Sequence, residues 1–452
     1  MVSHVSSLNV EKYVMYRVMT ILAHWRLALG AAFLLVSAGA SAQLLPGGRS
    51  LPLPSAPSLP RTTDRIGEVT RSAVDPVTGR LDPLRATAGQ LAAARVLRQE
   101  ELVRANRDRL EMTELGPAVR GQVIAIDPDP ASLAAALAAG FIRLAEERIE
   151  GVDISSVTLG VPRGWSVDRA LSRLRRIAPT GQFTANNLHE RSGATEAAAG
   201  SALLAQGGGT GGAAIGVIDG GVAAHPSLRS AIQQRGFVTG APQPSAHGTA
   251  IASLIAGQGA VNGAAPGVRL LVADVFGNDP AGGNALALTR ALGWMVSQGV
   301  RVVAVSLVGP ANPLVQRAIQ QARARGTWVV AAVGNDGRAA PPAFPASYPG
   351  VIAVTGIDGH GRVLIEAGRS LHLDYAAPGA DMGAAGPRGN VVAVRGTSFA
   401  VPLVAGRLFQ HVRAADVLVS LDGEAAQRGA RGVGRGVLCS NCRTPLSTAS
   451  RR

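Results

Sequence analysis

The chain has 452 residues, 47% hydrophobic but only 4% aromatic, with a formal charge of +14 at neutral pH. That length exceeds one typical domain and that apolar content excludes wholesale disorder, so two folded units with tails are expected. The positive charge is scattered arginine, Lys12 being the sole lysine, and no basic run is interleaved with stacking aromatics, which argues against nucleic-acid binding.

Residues 1–42 have the order of an export signal. Arg17, His24 and Arg26 precede an apolar stretch from Leu27 to about Val36, and Ala40-Ser41-Ala42 offers a small-residue cleavage site. The stretch is shorter than the ~20 residues that span a bilayer. Translation from Met15 or Met19 would shorten the long basic region, and an uncleaved anchor is the competing reading. With the signal removed, no stable membrane insertion is expected, and the protein belongs in the periplasm or the medium. Residues 43–83 are proline-rich, from Pro46 to Pro83, and are expected to be extended and poorly ordered. Over 84–115 proline vanishes and Ala, Leu, Arg and Glu predict one long charged helix.

Within 116–192 the order of elements is informative. Val123-Ile124-Ala125-Ile126 reads as a strand, and Asp129-Pro130 opens an alanine-rich helix that Gly140 closes. Phe141 to Ile149 and Ile154 to Val161 read as strands, Ser166 caps a helix through Ile177, and Gln182 to Leu188 supplies a last strand. This β-α-β-β-α-β order predicts a small α+β, ferredoxin-like domain. Residues 193–212, with the run GGGTGG, predict a flexible linker.

From 213 to 415 the runs AAIGVID, GVRLLVADV, RVVAVSL, TWVVAAV and GVIAVTG are continuously apolar, with helical segments at about 247–257, 284–298 and 312–325. Strands buried on both faces and alternating with helices predict an α/β fold, a parallel sheet with helices on both faces. Residues 416–452 read as a Gly/Arg-rich tail holding Cys439 and Cys442 in a CSNC run. That pair could be a redox motif, but no thioredoxin-like context surrounds it, and a zinc site lacks two further ligands. A local disulfide suits an exported chain.

Four residues carry candidate chemistry. Asp219 ends the strand of IGVID, where ligands of parallel sheets collect. His247 opens the small-residue helix HGTAIASLIAG, and His225, in a turn six residues after Asp219, is a rival base read as structural. Ser398 follows Gly396-Thr397 at a helix start, whose free N–H groups suit a developing oxyanion. Asn335 follows TWVVAAVG, so its amide can donate to the same oxyanion. Taken singly, each could be a turn, cap or helix-start residue. Together they give acid, base and nucleophile in the chain order Asp, His, Ser.

The motifs VIDGG, HGTAIASLIAG, AAVGNDG and GTSFAVP resemble those of the subtilisin-like serine peptidases, the subtilases, over about 213–415. The resemblance implies a serine endopeptidase acting on polypeptides, with Asp219, His247 and Ser398 as triad and Asn335 as oxyanion donor. It implies that Ser306, Leu307, Val308 and Gly309 line the cleft and pair with the substrate backbone as an added strand. Gly220 stands where the family usually has Ser or Thr, Phe399 replaces the usual Met, and Val401 the usual Ala. The compact catalytic region has few loops rich in Asp and Asn, so no metal or other cofactor is expected. Many family members carry a ferredoxin-like propeptide that assists folding and blocks the cleft. A self-processing zymogen is therefore expected, cut between about His189 and Gly212, with its own propeptide as intramolecular inhibitor and chaperone. The alternative is a catalytically inactive subtilase-fold adaptor that binds peptides.

Overall fold

In the computed structural model, residues 86–192, 204–205 and 212–446 are described. The export signal, the proline-rich segment and most of the 193–212 linker lie outside the described residues.

The first helix, α1 (Ala88–Ala105), starts at Thr87, whose hydroxyl accepts from the Gln90 N–H while the Gln90 side chain accepts from the Thr87 N–H. The single long helix expected over 84–115 is corrected here. Asn106 ends it, donating its amide to the Leu102 carbonyl, and Leu110–Thr113 (β1) pairs antiparallel with the start of β2 (Gly116–Ile126). Leu110 is fully buried in that hairpin, which a continued charged helix would not achieve. Then follow α2 (Pro130–Ala138), β3 (Ile142–Ile149), β4 (Ile154–Gly160), α3 (Val167–Ile177) and β5 (Gln182–Asn187). Asp129 and Ser166 cap the two helices through their side chains. The strands lie in the order β3-β4-β2-β5, all neighbours antiparallel, with α2 and α3 on one face. That is a ferredoxin-like α+β layer. A two-residue strand, β6 (Glu190–Arg191), follows.

The second sheet begins with β7 (Ala214–Asp219). A short parallel pair, β8 (Gly221–Val222) and β10 (Pro244–Ser245), flanks β9 (Ile232–Gly236) in the chain. Then come α4 (Ala246–Ala256), β11 (Arg269–Asp274), α5 (Ala285–Ser297), β12 (Val302–Val305), β13 (Leu307–Val308), α6 (Pro313–Ala324), β14 (Trp328–Ala332), β15 (Val351–Ile357) and β16 (Tyr375–Pro378). A hairpin of β17 (Met382–Ala385) and β18 (Val391–Val394) precedes α7 (Ala400–His411). Seven strands pair in parallel in the order β16-β15-β14-β12-β7-β11-β9. Alternate residues of β7 face opposite cores: Ile215 and Val217 pack toward α4 and α7, Ile218 toward α5 and α6. The chain leaves β7 toward β11 and β9, then returns to β12 on the other side. This reversal beside β7 is the place where α/β sheets put their ligands.

The tail is also corrected. Instead of trailing away after α7, the chain forms α8 (Val417–Glu424), capped by Asp416, and its Leu421 is fully buried. Val437 bridges Ala376 of β16 and Ala426, Leu438 is buried, and Cys439 is joined to Cys442. The Gly/Arg-rich composition hides the few apolar residues that drop into sites on β16 and α7.

The two sheets meet through the helices α5 and α6. On β2, Val123 and Ala125 face α2 and α3, whereas Ile124 and Ile126 join the core beneath α5 and α6 together with Ile149 and Ile154. The approach is backbone-close at Gly293 of α5, where an added Cβ would lie 2.4 Å from the Glu150 carbonyl oxygen. Arg290 pairs with Glu147 and Arg317 with Asp127 across the same seam.

Candidate active site

Asp219 sits at the carboxyl end of the central strand β7 and is fully buried. Its Oδ1 accepts the Gly220 N–H at 2.7 Å, and its Oδ2 lies 2.8 Å from His247 Nδ1. His247 is the second residue of α4, a helix whose residues are all buried and whose N-terminus is capped by Ser245. Its Nε2 lies 3.1 Å from Ser398 Oγ. Ser398 stands in the 3₁₀ turn Thr397–Phe399 that leads into α7. Three distant stretches thus place carboxylate, imidazole and hydroxyl in one hydrogen-bonded line. Such a line can draw the proton from the hydroxyl while the carboxylate fixes the imidazole tautomer.

Phe399, which follows Ser398, is fully buried and its ring centroid lies 5.2 Å from that of His247. His225 is elsewhere: Nδ1 accepts the Ser227 N–H and Nε2 is 3.1 Å from the Asn390 carbonyl, so it fastens a turn. Asn335 is oriented by its Oδ1, which accepts the Thr397 N–H at 2.8 Å, and this turns its Nδ2 toward the cleft.

The cleft is filled by the chain itself. Strand β6 pairs antiparallel with β13, Arg191 opposite Leu307 and Glu190 opposite Val308. On the other side, the His189 N–H donates to the Gly283 carbonyl at 2.8 Å, and Leu188 bridges Asn284. Residues 188–192 are therefore the middle strand of three. Ser306, Leu307 and Val308 all lie along this strand, and Gly309 lies against the His189 ring.

At the end of the strand, the Ser192 N–H donates to the Ser306 carbonyl, and the Ser192 carbonyl accepts the Ser398 N–H, both at 3.1 Å. Asn335 Nδ2 donates at 3.2 Å to the Ser192 hydroxyl rather than to its carbonyl, and Thr397 Oγ1 lies 3.3 Å from the same hydroxyl. Ser306 Oγ donates to the Ser398 carbonyl at 3.1 Å, pinning the Ser398 backbone against the cleft wall.

Two titratable groups on the strand are shifted. His189 is buried with neither ring nitrogen hydrogen-bonded among the described residues, and loss of water pushes its pKa down to about 4. Burial pushes the Glu190 carboxyl up, opposed by the Gln99 amide of α1, which donates to it at 2.6 Å. Arg95 and Arg98 of α1 pair with Asp336, next to Asn335, so this helix braces the strand in the cleft.

Sequence reasoning did not single out Leu188, His189, Glu190, Arg191 and Ser192 as site residues. Their signal was position alone: a strand-like end to the small domain followed by a glycine-rich run.

Residues 210–416 match the model of the subtilase family. Over 205 residues the chain is 33% identical to subtilisin BL of Lederbergia lenta, spanning 43% of this chain and 74% of that relative. Among solved structures, fervidolysin from Fervidobacterium pennivorans, a keratinolytic enzyme related to subtilisin, gives a TM-score of 0.58 at 18% identity, over 75% of this chain and 63% of that one. The epidermin leader peptide processing serine protease from Staphylococcus aureus gives 0.55 at 15% identity, over 72% and 97% of the two chains. At these identities the structural likeness is one of fold.

Proposed function

This chain belongs to the subtilase family and is a serine-type endopeptidase; from that premise we propose that it is made as a self-processing zymogen, with Asp219, His247 and Ser398 as its triad, cutting the peptide bond that follows Ser192. The hydrogen bond from the Ser398 N–H to the Ser192 carbonyl carries this reading, because it holds a backbone carbonyl of the chain where a substrate's would sit. His247 takes the Ser398 proton as Oγ attacks the Ser192 carbonyl carbon, and Asp219 stabilises the imidazolium that forms. The Ser398 N–H and the second amide hydrogen of Asn335 receive the oxyanion, a donor of that kind contributing about 10²–10³ in kcat. Collapse expels the amine of the following residue with the proton from His247. Water then hydrolyses the acyl-enzyme.

After the cut, the small domain stays as an inhibitor for as long as its strand and its sheet face remain docked. The same face, laid over α5 and α6, is what lets it assist folding of the catalytic unit. The basic, apolar, Ala-Ser-Ala order at the N-terminus supports export to the periplasm or beyond, and among the described residues no helix is long and apolar enough to cross a membrane.

Ser398→Ala tests the proposal. The purified variant should remain uncut after Ser192, resist fluorophosphonate labelling, and lose more than about 10³-fold in peptide hydrolysis. The unmodified chain should yield a mature N-terminus immediately after Ser192. Normal turnover by the variant, or processing of the unmodified chain only at some other bond, would refute it.

A further inference from the structure

Gly220 is the departure that the triad does not explain. A Cβ at this position would lie 2.6 Å from Ser245 Cβ and 3.0 Å from Arg191 Nη2, so a side chain here would intrude on the space the Arg191 guanidinium borders. That guanidinium occupies a defined slot. Its central carbon stands 3.9 Å from the Phe276 ring centroid, and its Nε is 3.9 Å from Asp219 Oδ1, the carboxylate oxygen not facing His247. Phe276 is held by its backbone N–H, which donates to Asp274 Oδ1 at 2.9 Å just past strand β11. Arg191 is the residue second before the bond assigned to cleavage.

We propose that the cleft selects arginine at the second residue before the cut, by stacking on Phe276, by the charge of the buried Asp219, and by the space left at Gly220. The substrates are then polypeptides carrying Arg followed by a small residue at the scissile bond, with Ser192 of this chain as the example. A planar, delocalised cation fits a slot made of one aromatic face and one carboxylate edge better than the ammonium of lysine does. The proposal rests on cleavage after Ser192, because that bond sets which residue lies in the slot.

The test uses the processed enzyme and quenched peptides built on Leu-His-Glu-Xaa-Ser, with Xaa as Arg, Lys, Ala or Glu. Arg should exceed Ala by about tenfold in kcat/KM, Lys should fall between them, and Glu should be poorest because it faces Asp219. In Phe276→Leu, which keeps the bulk without the ring, the Arg-to-Ala ratio should fall severalfold. In the precursor, Arg191→Ala should slow self-cleavage by a factor similar to that peptide ratio. A ratio within twofold in the unmodified enzyme overturns the inference, with the peptidase reading intact. An Arg preference unmoved by Phe276→Leu overturns it as well. If no peptide of the series is cut, the reading of the cleft falls and the inference with it.

Discussion

The seven-stranded sheet carries its own helices on both faces, whereas the ferredoxin-like sheet has α2 and α3 on one face and depends on α5 and α6 of its neighbour for the other. The difference shows along β2, where Ile124 and Ile126 are as dry as Val123 and Ala125 but only while the two units stay together. A domain so built is complete as an intramolecular partner and incomplete alone. Apolar burial is what drives folding, and the burial of Ile124, Ile126, Ile149, Val152 and Ile154 belongs to the interface. The seven-stranded unit gains a cover over α5 and α6 from the same residues.

The largest break in this comparison should come from Ile124→Ala. Deleting a fully buried isoleucine costs about 2–5 kcal/mol, and here that loss falls on docking. Inhibition of the processed enzyme by the released small domain should weaken by about 30-fold or more. A change of less than about fivefold would mean that the interface does not carry the face.

A second effect depends on pH. His189 titrates near 4 in the docked strand and near the ordinary 6.5 when released, so the released form takes up the proton first. Docking is at full strength above pH 6.5, weakens as pH falls from there, and stops weakening near pH 4. Glu190, whose carboxyl is raised in the docked state, acts in the opposite direction, so the histidine's share is read against His189→Gln. Relative to that variant, inhibition should lose roughly 30-fold between pH 7.5 and pH 5.

A third substitution should change sign between the two forms. In Gly293→Ala the new Cβ would meet the Glu150 carbonyl oxygen at 2.4 Å and Ile149 Cγ2 at 2.9 Å, costing about 1–3 kcal/mol in the precursor. Once the small domain has left, alanine within α5 should stabilise the enzyme by about 0.5–1 kcal/mol. Thermal unfolding of the Ser398→Ala precursor and of the processed enzyme would show opposite shifts. The smallest difference between the two forms is expected from replacing both Cys439 and Cys442 by alanine. The bridge closes a short loop, so its loss should cost about 1–2 kcal/mol, equally in precursor and processed enzyme.

Much of the fold was legible because doubly buried parallel strands write themselves as unbroken apolar runs. AIGVID, RLLVAD, VVAV, WVVAA and VIAVTGI are all interior members of the sheet. The two edge strands were not legible. IQQRG has only its first residue buried, and YAAP has no β-branched residue and ends in proline. The hairpin strand LEMT was masked by the charged helix that precedes it, and the packed tail by its glycines and arginines. Of the candidate site, Asp219, His247, Ser398 and Asn335 were each marked by a local motif, and the structure brings them to one edge of the sheet. The strand that fills the cleft was not marked, since nothing in Leu188 to Ser192 distinguishes it from any other strand end.

What the residues alone determined here is what short range can encode: which runs are buried, where helices begin, and which side chains stand at strand ends and helix starts. Which carbonyl meets the Ser398 N–H was decided only by the folded molecule. The pairing of Arg191 with Leu307 and the docking of Ile124 and Ile126 on the neighbouring helices set that position together, and a one-residue slip in either would present a different bond. The arginine slot likewise exists only because Gly220, Phe276 and Asp219, separated in the chain, converge on the same few ångströms of space.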